Sequence, residues 1–302
     1  MVPGSALVHD LFTAIGVLVG GWVFVLQIRY RRRATGRAVD DRIWTVVAGA
    51  LVGGALLGRL GTWAQHFDLR ANATLVEHWI YGNRSILSGL VGAYLGALLA
   101  KRLTGYREKT GDLFAPAVAV GMAVGRIGCL LTELPGTPTG AAWGVTAWDG
   151  LPRHPSFAYE IAFHVVAFVV LLRLRPHLLP ATAAGRLPGA GRHAAERGEA
   201  AQHPATRDDG PVPGESAGSA GVQQECSTSE RAHDRYPQGI LFNGFVVAYG
   251  VFRFAVEFVR GNEVVFAGLT RPQWFLLGVA PLVVWRVGRK LSKATRAQEG
   301  LA

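Results

Sequence analysis

The chain has 302 residues, of which 50% are hydrophobic and only 17% are charged, and its formal net charge is +10. A soluble domain usually carries about 25% charged residues, so this composition argues against an ordinary soluble protein. The basic residues lie in short stretches that flank apolar segments. Such a distribution is typical of a membrane topology signal rather than of a nucleic-acid interface, and no nucleic-acid partner is expected.

Seven apolar segments predict transmembrane helices. In chain order they cover residues 11–28, 43–64, 86–100, 113–134, 157–174, 239–259 and 274–287. Clusters of Lys and Arg follow the first, third, fifth and seventh segments, whereas the other connections carry few. By the positive-inside rule, this alternation predicts an all-α polytopic protein of a bacterial inner membrane, with its N-terminus outside and its C-terminus in the cytoplasm.

One long segment differs in kind from the rest of the chain. Residues 183–238 are rich in Gly, Ala, Ser, Pro and charge, which predicts a disordered cytoplasmic insertion. It divides the chain into helices one to five (1–182) and helices six and seven with a basic tail (239–302). Cys226 lies in this insertion and Cys129 in the fourth apolar segment, so the sequence implies no disulfide, metal site or cofactor. No base is expected beside Cys129, which favours an inert buried thiol.

Ionisable residues inside the apolar segments are the main functional signal. Arg59 and Arg126 lie in the second and fourth segments, and Arg253, Glu257 and Arg260 share one face of the sixth at i, i+4, i+7 spacing. Charges at membrane depth are costly and survive when they are paired or functional. One interpretation is an ion-pair ladder that only locks helices, with Glu257 held between two arginines. The other is an anion site, because the surplus guanidinium groups suit a phospholipid phosphate.

Two neighbouring stretches add candidate residues. Residues 125–139 begin apolar and end in a Gly/Pro-broken stretch, and such non-helical backbone is tolerated where it lines a cavity. Pro155 and Ser156 then mark a helix start. His154, just before them, is a candidate proton carrier at the outer membrane edge, or equally a residue that caps the helix.

Four blocks, in this order, resemble the prolipoprotein diacylglyceryl transferase family. They are Gly58-Arg59-Leu60-Gly61, Gly125-Arg126-Ile127-Gly128, Arg153-His154-Pro155-Ser156 with Tyr159-Glu160, and Phe252-Arg253-Phe254 with Glu257-Phe258-Val259-Arg260. The resemblance covers most of the chain outside residues 183–238. It implies an enzyme that moves the diacylglyceryl group of phosphatidylglycerol to the lipobox cysteine in a preprolipoprotein signal peptide. The product is a thioether, and glycerol phosphate leaves.

The resemblance also implies roles for individual residues. Arg126 and Arg253 would bind the phosphate and stabilise the leaving group, so they count as catalytic together with His154 and Glu257. Phospholipid binding would extend to further positions, which are Arg59, Gly128, Gly136 and Arg260. Supporting positions are Tyr159 and Glu160, which would shape the outer mouth with His154, and Ser88 and Gly89 in the third segment.

The chain departs from the family pattern at several polar positions. Leu87 stands where the family usually carries a histidine, commonly proposed as the base that activates the thiol. Cys129 replaces a usual asparagine, and Phe157 replaces a usual glutamine. Leu11 and Phe12 occupy the neighbourhood of a usual tyrosine. The phosphate-binding arginines are therefore kept, whereas groups that would handle the thiol are not.

Three interpretations follow from this mixture. The leading one is a divergent transferase in which His154 or His9 takes the thiol proton. The second is a catalytically altered paralogue that binds anionic phospholipid without transferring it, or that uses another acceptor. The third is an anion transporter, although the sequence lacks the signs of an inverted repeat.

Overall fold

The computed structural model describes residues 5–36, 39–65, 85–178 and 239–299. The predicted insertion at 183–238 lies outside these ranges. The described ranges contain seven long helices: α1 (Ser5–Thr35), α2 (Ile43–Gln65), α3 (Ile86–Thr104), α4 (Gly111–Thr132), α5 (Ser156–Leu174), α6 (Ile240–Arg260) and α7 (Arg271–Glu299). A 3₁₀ turn at Arg175–Leu178 extends α5.

Six of these helices, α1 to α6, are long and apolar enough to cross a membrane. In α7 the apolar stretch between Trp274 and Trp285 is short, and polar or basic residues such as Gln273 and Arg286 bracket it. α1 is longer than the predicted 11–28 segment because its helix continues through the basic cluster. It ends before Gly36, whose φ of 70° is the left-handed conformation that glycine adopts readily.

The prediction of a helical protein is confirmed, with two short additions. β1 (Val145–Thr146) pairs antiparallel with β2 (Pro152–Arg153) in the connection between α4 and α5. β3 (Val264–Phe266) pairs antiparallel with β4 (Leu269–Thr270) between α6 and α7. Segments this short carry no periodicity that a sequence can show, so the hairpins were not predicted.

α2 and α3 pack closely through facing rows of glycine. A Cβ atom added to Gly92 would lie 2.1 Å from the carbonyl oxygen of Gly53, and one added to Gly96 would lie 2.0 Å from that of Gly49. Only glycine permits this approach of two backbones. Small residues at such crossings are typical of membrane helices, where close van der Waals packing replaces the hydrophobic effect as the force of association.

α4 lies between α1 on one side and α5 and α6 on the other. A Cβ atom on Gly16 of α1 would meet the carbonyl oxygen of Gly121 at 2.6 Å, so this contact also depends on glycine. In the first turn of α4, Asp112 accepts hydrogen bonds from the backbone N–H groups of Gly239 (2.6 Å) and Phe242 (3.1 Å). The carboxylate thus caps the first turn of α6 and fixes α6 beside α4.

Candidate active site

α4, α5 and α6 bring five charged side chains into one buried cluster, which we call the arginine cluster. Its members are Arg126 on α4, Glu160 on α5, and Arg253, Glu257 and Arg260 on α6. The side chains of Arg126, Glu160, Arg253 and Glu257 are at most 7% exposed, and that of Arg260 is 14% exposed. The predicted common face of α6 therefore points inward, toward α4 and α5.

Glu160 joins two helices to its own. Its Oε2 lies 2.5 Å from Nε of Arg126, and its Oε1 accepts a hydrogen bond from Nη1 of Arg260. On sequence grounds Glu160 was grouped with the outer mouth, but the structure places it inside the arginine cluster. The predicted ladder with Glu257 between two arginines is also wrong, because Arg260 reaches across to α5 instead.

Glu257, the second carboxylate of the arginine cluster, has a separate set of hydrogen-bond partners. Its Oε2 accepts from Nη1 of Arg253, while its Oε1 accepts from Nδ2 of Asn262 (2.6 Å) and from Oγ1 of Thr270 (2.9 Å). Gln273 in turn accepts the backbone N–H of Thr270 at 2.9 Å. Asn262 and Thr270 were not found from the sequence, since they follow the helix end and belong to no periodic pattern. They fix the orientation of Glu257 and, through it, that of Arg253.

The charges of the cluster do not balance. Three guanidinium groups face two carboxylates in the described network. His164, one turn after Glu160 on α5, is fully buried, and neither ring nitrogen has a hydrogen-bond partner among the described residues. Its ring lies 5.0 Å from that of Tyr249. A surplus positive charge in a low-dielectric region favours an anion, and a phosphate provides oxygens for several guanidinium N–H groups.

Residues 133–139 are non-helical, as the Gly/Pro pattern predicted, and the structure places this segment against the end of α6. Gly136 donates its N–H to the carbonyl of His154, and Thr137 donates to that of Val259, each at 2.8 Å. A Cβ atom on Gly136 would lie 2.0 Å from the Val259 oxygen, so only glycine fits there. Nη1 of Arg153 donates to the Gly136 carbonyl at 2.9 Å. This backbone forms a wall against Val259, the residue before Arg260.

His154 and Tyr159 meet outside this wall. Nδ1 of His154 lies 3.4 Å from the hydroxyl of Tyr159, which accepts a hydrogen bond from Nε1 of Trp143 at 2.9 Å. In the adjoining β1–β2 loop, Asp149 lies 2.7 Å from Nη2 of Arg153. The hydrogen bond from Arg153 lowers the pKa of the Asp149 carboxyl below its ordinary value.

Three predicted site residues lie on the α2–α3 pair rather than on the helices that carry the arginine cluster. A Cβ atom on Gly61 would lie 2.1 Å from Oγ of Ser88, and one on Gly89 would lie 3.7 Å from Cα of Gly58. Arg59 follows Gly58 on α2. Ser88 and Gly89 thus form part of the close contact between α2 and α3.

Gly128 and Cys129 lie where α4 meets the beginning of α1. A Cβ atom on Gly128 would lie 3.3 Å from Cα of His9, and Cys129 is buried with its Sγ 3.6 Å from Nη1 of Arg126. Ligand atoms of His9, Cys129 and Glu133 all lie within 4.8 Å of one another. The expectation that no base lies beside Cys129 is therefore wrong, because packing of α1 on α4 brings in His9.

Known proteins similar to this chain agree with the resemblance. The sequence profile of the prolipoprotein diacylglyceryl transferases matches residues 6–189, which is more than half of the chain. A relative from Nitratidesulfovibrio vulgaris (strain DP4), named phosphatidylglycerol–prolipoprotein diacylglyceryl transferase, is 28% identical over 312 residues, covering 96% of this chain and 92% of its own. A relative of the same name from Cupriavidus pinatubonensis is 26% identical and covers 93% and 87%. Another from Oleidesulfovibrio alaskensis is 36% identical over 165 residues, covering 52% and 60%.

The matched region includes α1 to α5, and thus two of the three helices that form the arginine cluster. The two relatives that align over most of the chain also cover the part after residue 189, which contains α6 and α7. The six apolar helices fit a multi-pass membrane protein. From the profile match, the similar relatives and the order of the four blocks, we conclude that this chain belongs to the prolipoprotein diacylglyceryl transferase family.

Proposed function

We propose that this protein transfers the diacylglyceryl group of phosphatidylglycerol to the lipobox cysteine of a preprolipoprotein. The observation that carries the proposal is the arginine cluster, in which three guanidinium groups and two carboxylates lie together on α4, α5 and α6. These residues belong to the blocks that resemble the family. The surplus charge suits the phosphate of an anionic phospholipid.

The reaction is a substitution at the glycerol carbon that carries the phosphate ester. The acceptor sulfur attacks this carbon, a C–S bond forms, and the C–O bond breaks. The electron pair of the broken bond leaves on glycerol phosphate, where negative charge develops. Arg126 and Arg253 donate hydrogen bonds to that charge, and such fixed donors lower the barrier most in a site that excludes water.

The two glutamates keep the arginines in place before substrate arrives. Glu160 holds Arg126 and Arg260, and Glu257 holds Arg253. Donors that are already oriented need no reorganisation as charge develops, which is the main benefit of a preformed site. Gly136 shapes the wall against Val259, and His154 with Tyr159 forms the mouth through which a signal peptide would enter.

The topology we propose has seven spans in the bacterial inner membrane, with the N-terminus outside and the C-terminus in the cytoplasm. α7 would be the seventh span, and the Lys/Arg clusters after alternate helices support this orientation. Cys226, which lies between residues 183 and 238, should then react with an impermeant thiol reagent only from the cytoplasmic side, with Cys226→Ser as the control. Labelling from outside would indicate the opposite orientation in the membrane.

The altered paralogue remains a second candidate because Leu87 occupies the position of the expected histidine on α3. Such a protein would bind phosphatidylglycerol in the arginine cluster without transferring its diacylglyceryl group to a lipobox cysteine. Lipid binding is common to both candidates. Only a lipidated product separates them.

The test is a mass assay on the purified full-length protein with phosphatidylglycerol and a lipobox peptide. We expect the peptide cysteine to gain one diacylglyceryl group, and Arg253→Ala to abolish this gain. Arg271→Ala is the matched control, because Arg271 pairs with exposed Glu263 outside the cluster. Bound lipid without any gain would favour the paralogue. Retention of phosphatidylglycerol by Arg126→Ala would contradict the phosphate site itself.

A further inference from the structure

The contact between the beginning of α1 and the end of α4 places a histidine between two carboxylates. Nε2 of His9 lies 3.8 Å from Oε1 of Glu133, and Nδ1 lies 3.6 Å from Oδ1 of Asp10. The side chain of His9 is 33% exposed, so a second molecule can reach it. Cys129 separates this group from the arginine cluster, with its Sγ 3.6 Å from Arg126 and within 4.8 Å of a ligand atom of His9.

The proposed reaction needs a base near the arginine cluster. A thiolate, not a thiol, is the nucleophile, and a cysteine at neutral pH is mostly protonated. Leu87 offers no basic group. His164 is fully buried among Phe163, Phe245 and Tyr249. His9 combines an accessible ring with flanking carboxylates, and only the side chain of Cys129 lies between it and the Arg126 guanidinium.

We infer that His9 is the general base that removes the proton from the acceptor thiol, with the carboxylates of Glu133 and Asp10 on either side of its ring. This inference rests on the proposed transfer reaction. At 3.6 and 3.8 Å neither carboxylate is hydrogen-bonded to the ring, so a ring nitrogen stays open to an entering thiol. Imidazole is the side chain suited to take and release a proton near neutral pH.

The proton and electrons balance without a further reagent. The S–H bond of the acceptor breaks, its proton moves to a ring nitrogen of His9, and its electron pair stays on sulfur. The thiolate forms the C–S bond while the phosphate ester C–O bond breaks. The imidazolium then releases its proton to the departing glycerol phosphate or to water, which restores the neutral ring.

His9, Cys129 and Glu133 could be read as ligands of a metal ion, since their ligand atoms all lie within 4.8 Å of one another. The electrostatics oppose this. The guanidinium of Arg126 contacts the sulfur that would have to bind the cation. We therefore assign the group to proton transfer, and a chelation control separates the two.

The test compares His9→Gln with the unchanged protein on two acceptors, a lipobox peptide and its selenocysteine analogue. A selenol is far more acidic than a thiol and is ionised at neutral pH without a base. We expect His9→Gln to lower kcat/KM for the cysteine peptide by about 10²-fold or more at neutral pH. This loss should shrink as the pH rises toward the ordinary thiol pKa of about 8.5, because the thiol then ionises without a base. The kcat/KM of His9→Gln for the selenocysteine peptide should stay close to that of the unchanged protein.

His154→Gln is the matched control, since this residue lies at the mouth and should affect both acceptors alike. Equal loss with both acceptors in His9→Gln, or an unchanged pH profile, would overturn the inference. Inactivation of the unchanged protein by a chelator, with recovery on adding zinc, would overturn it in favour of a metal site. Inactivity of the unchanged protein with both peptides would instead overturn the proposed function, together with the inference.

Discussion

The α2–α3 pair and the α4–α5–α6 group hold their helices together by different means. α2 and α3 meet through glycines such as Gly53 and Gly92, whose backbones nearly touch. α4, α5 and α6 are joined by ion pairs, with Glu160 bridging to Arg126 and Arg260. Lipid does not drive helices together as water does, so both small-residue contacts and polar pairs serve association.

The comparison shows what the charges add. Glycine contacts suffice to associate two membrane helices, and they leave no charge behind. The arginine cluster associates helices but ends with one more cation than anion among its described ion pairs. Buried ion pairs contribute little net stability, although breaking one is costly, so packing alone does not account for them. We therefore propose that the surplus serves to bind an anionic substrate.

The largest effect is expected from a substitution at the centre of the arginine cluster. Glu160→Gln removes the carboxylate that Arg126 and Arg260 share, leaving two buried cations without it. We expect transfer activity to fall by at least about 10²-fold and the free energy of unfolding to fall by about 3–5 kcal/mol. Activity and thermal unfolding in detergent measure these effects.

Glu263→Gln is the control for Glu160→Gln, because Glu263 is exposed and pairs with Arg271 at 3.4 Å. Its effect should be within the about 1 kcal/mol typical of a surface pair. Comparable losses in the two variants would show that the buried position of Glu160 does not matter.

A smaller effect is expected at the wall of the site. Gly136→Ala would place a Cβ atom 2.0 Å from the Val259 oxygen, so the wall must move away from α6. We expect activity to fall by about tenfold, since small displacements of positioning groups reduce rates strongly. Gly140→Ala, with no atom within 4 Å of its new Cβ, should retain full activity. Equal activity of both variants would remove Gly136 from the site.

The glycine-packed region should respond in stability more than in activity. Gly53→Ala would bring a Cβ atom within 2.2 Å of the Gly92 oxygen, whereas at Gly54 the nearest atom would be 3.4 Å away. We expect Gly53→Ala to lower the free energy of unfolding by about 1–3 kcal/mol, and Gly54→Ala to lower it less. Transfer activity per folded molecule should change little. A loss of activity without a loss of stability would place α2–α3 in the site.

The smallest effect is expected in the exposed β1–β2 loop. Because the hydrogen bond from Arg153 lowers the Asp149 pKa, its stabilisation is present above the ordinary aspartate pKa near 4 and is lost as pH falls through the lowered value. Asp149→Asn should therefore speed hydrogen exchange in residues 145–153 at neutral pH. The difference from the unchanged protein should vanish in acid. A difference that grows with acid would contradict the pairing.

Individual residues show how far prediction reached into the site. Arg126, Arg253, Glu257 and Arg260 were identified because charge inside an apolar helix is rare. Asn262, Thr270 and His164 were missed, since a polar residue after a helix end, or one histidine on an apolar face, carries no distinct signal. Ser88 and Gly89 were assigned to support of the site, while the structure places them in the α2–α3 contact.

The amino-acid pattern alone was sufficient for the helices and for the common face of α6, because hydrophobicity and the 3.6-residue period are local properties. Only the tertiary structure decided that Arg260 pairs with Glu160 rather than with Glu257, and that His9 lies beside Cys129. The physical reason is that the helical period relates neighbours within one helix. Contacts between helices depend on how each is rotated and how deeply it lies, and those are set by packing of the whole bundle.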